Sequence, residues 1–119
     1  MKQLTFASLQ VTNLEASKDF YTQKLGFEID NTNPQACIFK YNHGQASFAI
    51  RTPLEPLEGK ELGIGVALWF AVEENVEQLK EKLIANGVIT SGPIIETPFG
   101  RAFHVKDLDG YKLTFLNSK

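Results

Sequence analysis

One arrangement recurs along this chain at a fixed distance, and it restricts the fold more than any other feature. The stretch LTFASLQV, 4–11, alternates as a strand does, with Leu9 and Val11 on one face and Phe6, Ser8 and Gln10 on the other. Asn13 then supplies a helix N-cap, with Glu15 in the first turn where the helix dipole favours an anion. Leu14, Ser17, Phe20, Tyr21, Lys24 and Leu25 follow at helical spacing, and Gly26 suits the position just past the helix end. The stretch IGVALWFAV, 64–72, reads the same way. Glu73 and Glu74 predict an acidic helix start, Val76, Leu79 and Leu83 form an apolar stripe, and Gly87 closes the helix. Val72 follows Val11, and Gly87 follows Gly26, by the same 61 residues.

Each helix leads into strands joined by a glycine-bearing turn. These are ACIFKY and QASFAIR around NHG in the first half, and RAFHVK and YKLTFL around DLDG in the second. Gly110 follows Gly44 by 66 residues, so the second connection is longer, in keeping with the loop-like SGPIIETPFG. All five prolines are expected in connections. The pattern predicts an α+β chain of two tandem βαβββ modules, 1–51 and 63–119, with TPLEPLEGKEL, 52–62, as an exposed linker, the whole forming a single domain, 1–119. A helix on one face of each sheet leaves the other face open. Two open faces around a common concavity, with the helices outside, predict a curved mixed sheet with a pocket.

Parity then names the pocket wall. Large apolar residues suit the helix side, so Leu68, Phe70, Val72, Phe103, Val105, Leu113 and Phe115 go there. Ala67, Trp69, Ala102, His104 and Thr114 are left to look inward, with Phe6 and Ser8 by the repeat. The matching positions of the first hairpin are read as Ile38, Phe48 and Ile50, which equally fit a second core layer. The wall is apolar and aromatic with a few polar points, as small-molecule sites are. Trp69, the only tryptophan, favours ligand contact because its indole N–H needs a partner when buried.

The charge balance excludes other classes. Twelve Lys and Arg against fourteen Asp and Glu give a net charge of −2, which argues against a nucleic-acid surface. No apolar run approaches the ~20 residues that span a bilayer, and no leader pattern is seen, so a cytoplasmic protein is expected. Cys37 is the single cysteine, which fits a reduced compartment and reads as a small buried hydrophobe.

The run LQVTNLEASKDFYTQKLGFEI resembles the first module of the glyoxalase, bleomycin-resistance and extradiol-dioxygenase superfamily, through Asn13, Leu14, Ser17, Phe20, Tyr21, Leu25, Gly26 and Phe27. The ending FGRAFHVKDLDGYKLTF resembles the second module's signature through Phe99, Gly100, Arg101, Phe103, Asp107 and Gly110, with Leu108 and Tyr111 departing from its usual Pro and Asn. In metal-using members the resemblance places His and Glu ligands at the positions held here by Phe6, Phe48, Ala67 and Thr114. Phe and Ala carry no donor, and a catalytic site needs about three protein ligands. No metal and no cofactor are therefore expected. Of the two histidines, His43 reads as a solvated turn residue and His104 would be a lone ligand.

The resemblance implies a metal-free protein of the bleomycin-resistance kind. It would sequester a bulky, aromatic, cationic compound as a homodimer, and Glu55, Glu58 and Glu61 near the linker would favour the cation unless they are only a solvated loop. The alternative is a metal-independent lyase or isomerase using His104 as general acid or base, with Ser8 or Thr114 orienting the substrate. An interaction protein with a vestigial pocket is a third reading, and it leaves an apolar concavity unprotected. Arg101 is expected to pair with Asp107, backbone or solvent, and Asp107, Asp109 and Gly110 are expected to form the turn itself.

Overall fold

The computed structural model of the chain describes residues 1–42 and 44–118. His43 therefore lies outside the described residues. The chain divides into two compact units, Met1–Lys60 and Glu61–Lys119, each with one helix and one four-stranded mixed sheet.

In the first unit β1 (Phe6–Gln10) leads to α1 (Leu14–Asp19), which continues as a π turn over Phe20–Lys24. Three strands follow: β2 (Ile29–Asn33), β3 (Ala36–Phe39) and β4 (Ser47–Arg51). The order is β1-β4-β3-β2, with β1 parallel to β4 and the rest antiparallel. Asn13 caps α1 by accepting from the Ala16 N–H. The π turn widens the helix end, so that the Leu25 N–H reaches the Phe20 carbonyl, and adjacent Phe20 and Tyr21 both turn inward. Tyr21, fully buried, lies 5.5–5.8 Å centroid to centroid from the rings of Phe20, Phe27, Phe39 and Phe48. This aromatic cluster is the core of the unit.

The cluster overturns one sequence expectation. Phe48 lies under the helix, 5.6 Å from Tyr21 and 5.5 Å from Phe39, not on the helix-free face. Ile50, fully buried, shares that face, because it pairs with Leu9 and Cys37, both of which are buried. Large apolar side chains went to the helix side here as in the second unit. Ala49 is the residue that turns the other way, beside Ser8 and Ile38.

In the second unit β5 (Leu68–Ala71) leads to α2 (Val76–Ala85), then β6 (Ile89–Thr97), β7 (Gly100–Lys106) and β8 (Lys112–Ser118). The order β5-β8-β7-β6 repeats that of the first sheet, with β5 parallel to β8. Val76, Leu79 and Leu83 are buried on α2, facing Phe103, Val105, Leu113 and Phe115, as the stripe predicts. Arg101 fixes which side is which. It reaches Glu77 of α2 and, at 3.0 Å, Glu96 of β6, not Asp107. Asp107 instead accepts from the Asp109 and Tyr111 N–H groups, both at 2.9 Å, and so shapes the turn as expected.

Two boundaries differ from expectation. The cap of α2 is Asn75, accepting from the Gln78 N–H, so Glu73 and Glu74 precede the helix; their carbonyls accept from the Asn117 amide. Most of the loop-like SGPIIETPFG belongs to β6, and Pro93 lies inside that strand. An edge strand tolerates it because the ladder shifts between Ser91 and Ile95, leaving no partner bond to lose. Tyr111 packs on Gly63, where an added Cβ would come within 2.7 Å of the ring at a positive φ of 77°, so glycine is required there. Gly26 and Gly87 hold φ of 89° and 87°, as the repeat requires.

The face assignment is measurable. Phe48→Ala should lower unfolding free energy by about 3–4 kcal/mol, as for a buried aromatic. Phe6→Ala, at a side chain 59% exposed, should change it by about 0.5 kcal/mol or less. Urea denaturation of both variants reads the difference, and equal costs would overturn the assignment.

Candidate functional site

Each sheet has a face turned away from its own helix, and each face gathers part of the expected wall. On the second sheet Trp69 of β5, Thr114 of β8, His104 of β7 and Ser91 of β6 are cross-strand neighbours in one row. Trp69 is 44% exposed, His104 half-buried and Thr114 buried between them. His104 Nδ1 and Thr114 Oγ1 lie 2.7 Å apart. The indole meets the imidazole edge-on, at 6.5 Å and 85°. Ala102 is buried one row along, and Ala67 is exposed just before β5.

On the first sheet Phe6 and Ser8 are exposed on β1, and Ala49 and Ile38 continue the row from Ser8. Of the ten expected wall residues, only Phe48 and Ile50 leave these faces. Ala49 was missed. The rule that sends large residues under the helix identifies it when applied to SFAIR, where it is the small residue between Phe48 and Ile50.

The His104–Thr114 pair survives a change of protonation. The hydroxyl donates to a bare Nδ1 and accepts from Nδ1–H by turning about its C–O bond. Burial first, and then the positive charge of Lys112, push the His104 imidazolium below its ordinary value. The imidazole is therefore neutral at pH 7. Cys37 is fully buried on the helix side of β3, and burial raises its thiol, so it offers no thiolate.

The residues do not fit a divalent ion. Phe6, Ala67 and Thr114 stand where the resemblance places ligands, and the pairing register makes Ala49, not Phe48, the counterpart of Thr114. Together they offer one hydroxyl, which already meets His104. Among the described residues no group of three His, Cys, Asp or Glu could hold a metal.

A sequence model of the Glyoxalase/Bleomycin resistance protein/Dioxygenase superfamily matches residues 3–115. The chain belongs to this superfamily. No curated protein matches it in sequence. Among solved structures, the superfamily fold recurs in TnmS3, an antibiotic binding protein from Streptomyces sp. CB03234 (21% identity, TM-score 0.78), across 100% of this chain and 98% of that one. A glyoxalase-related enzyme from Fulvimarina pelagi is similar at 25% identity and a TM-score of 0.73, over 99% of this chain and 89% of that one. A superfamily member from Sphaerobacter thermophilus shares 23% identity with a TM-score of 0.74, over 99% and 98%. Superfamily members thus include both binding proteins and enzymes, and membership alone does not choose between them. Among the described residues no helix is long and apolar enough to cross a membrane.

The depressed His104 gives a signed pH effect. The unfolded chain binds its proton first, so stability from neutral His104 is present above the unfolded pKa, near 6.5, and is lost as pH falls through the lower folded value. Urea midpoints measured from about pH 7.5 to 5 should fall more steeply for the wild type than for His104→Asn. Parallel slopes would contradict the burial of the imidazole.

Proposed function

We propose that this protein is a metal-independent small-molecule binding protein, related in kind to the antibiotic-binding and bleomycin-resistance members of its superfamily. It takes up a bulky, aromatic compound on the helix-free face of the second sheet. The observation that carries this reading is Trp69: a broad indole, 44% exposed, on a regular sheet beside the His104–Thr114 pair. A flat ring laid on it gains stacking, while the hydroxyl and imidazole give polar contact. Phe6, Ala49, Ala67 and Thr114 offer a single hydroxyl, already engaged with His104, which supports binding over the metal chemistry of the superfamily. TnmS3, an antibiotic binding protein of the same fold, supports the class.

A cationic ligand has less support. The glutamates that pointed to it, Glu55, Glu58 and Glu61, are exposed, and Glu55 pairs with Lys60 at 3.5 Å. A metal-independent enzyme is the second reading, favoured by His104 itself: a neutral, half-buried imidazole is fit to take a proton, and Thr114 orients it through Nδ1. We further take the two units to form one domain that acts as a homodimer in the cytoplasm. Exposed Ile64 and Val66 offer apolar surface for such a contact.

With a single tryptophan, emission reports the site directly. Flat polycyclic compounds should quench or shift Trp69 fluorescence saturably, and Thr114→Val should weaken the effect. No change with a broad panel, on folded protein, would defeat the binding proposal. Elemental analysis of untreated protein should find no stoichiometric Zn, Ni, Mn or Fe. Tightly held metal at one per chain would overturn the metal-independent assignment.

A further inference from the structure

The helix-free face of the second sheet carries charge of one sign only. One row beyond Thr114 and His104, Lys112 of β8 stands directly opposite Lys106 of β7. Both ammonium groups are on exposed residues, and neither forms an ion pair among the described residues. No strand position on this face supplies a compensating acid. On β5 the face presents Trp69 and Ala71, and on β8 Lys112, Thr114 and Leu116. On β7 it presents Ala102, His104 and Lys106, and on β6 Ile89, Ser91 and Ile95. None is acidic. Glu96, the one acid on these four strands, pairs with Arg101 on the opposite face.

This is unexpected in a chain with more acidic than basic residues. Like charges directly opposite across an antiparallel pair destabilise the sheet. Asp107 of the adjoining turn is buried and accepts from the Asp109 and Tyr111 N–H groups. Residues two apart on a strand face stand roughly 7 Å apart. That is about the span from one end of a small fused ring system to a substituent at its other end. A ring seated at Trp69 and Thr114 thus brings its substituent to Lys112.

We propose that the ligand of this face is a planar aromatic compound bearing an anionic group, a carboxylate or its equivalent, held by Lys112 and Lys106 while its rings lie on Trp69. The inference rests on the binding function proposed above and adds the sign of the ligand's charge. It also reverses the cationic ligand that the sequence favours. The charge of Lys112 already reaches His104, which it helps keep neutral. An anion bridging the two lysines would remove their mutual repulsion, so ligand binding and sheet stability would rise together.

A matched series tests it: anthracenecarboxylate, its neutral carboxamide and the cationic aminomethylanthracene, each titrated against Trp69 emission. The carboxylate should bind tightest, and raising ionic strength should weaken it alone. Lys106→Gln/Lys112→Gln should weaken the carboxylate by about fivefold to tenfold and leave the carboxamide within about twofold. Lys82→Gln, which removes a lysine on α2 away from this face, serves as the control and should leave all three affinities as they were. If the three probes bind alike, or the cation binds best, the anionic assignment fails while the binding function stands. If none binds to folded protein, both fail.

Discussion

Each unit of this protein has four strands and one helix, so one face of each sheet is covered by its own helix and the other is not. Every other feature of the site follows from that inequality. The covered face must exclude water, and it takes the largest side chains: Tyr21 among four phenylalanine rings in one unit, Phe103, Leu113 and Phe115 against Leu79 and Leu83 in the other. Because side chains alternate, each large residue sent under the helix places its neighbour on the free face. Thr114 stands between Leu113 and Phe115, and His104 between Phe103 and Val105. Function is thereby confined to alternate positions that the core does not need, and these positions are free to change chemistry without changing the fold.

The same logic explains how much of the molecule was legible in sequence. Both helices, their glycine stops and the strand pairs were readable, because each depends on local signals: a cap, an apolar stripe, a turn residue. The second half of the wall was readable too, since parity was anchored on large residues. Phe48 and Ile50 are misplaced because matching Gly44 to Gly110 aligns the two hairpins one residue out of register on β4. The connection between the paired strand positions Ile38 and Ala49 is one residue longer than that between His104 and Thr114. A shift of one residue moves every side chain to the other face. β6 was hidden for a different reason. Its bulge admits Pro93 and Gly92, which read locally as loop, and only pairing with β7 makes the segment a strand. The cap at Asn75 was masked by two glutamates just before it.

Those corrections bear on what the scaffold can do. With Ala49 in the place first given to Phe48, the positions at which superfamily members would carry metal ligands hold two side chains without heteroatoms beyond the methyl, one aromatic ring and one hydroxyl. The hydroxyl has another occupation. Thr114 is buried and holds His104, and the pair forms the polar centre of a row that runs from Trp69 to Ser91. A metal-bound glutamate and a threonine that orients a histidine are alternative uses of one position, because neither leaves space for the other.

The electrostatics of the row then favour a particular kind of partner. An imidazole held neutral by burial and by a nearby ammonium has a donor and an acceptor but no charge to neutralise. It suits a polar, uncharged part of a ligand. The charge that has no ion-pair partner among the described residues lies one row away, on Lys106 and Lys112, where solvent screens their repulsion without removing it. On the proposed reading, separating neutral hydrogen bonding from charge in this way would let one face sort ligands by two independent properties. Ring shape and polarity would be read at Trp69, Thr114 and His104, and net charge at the lysines. Under this division, substitutions at the lysines alter which ligands are preferred, whereas substitutions at the row alter whether any flat ligand is held at all.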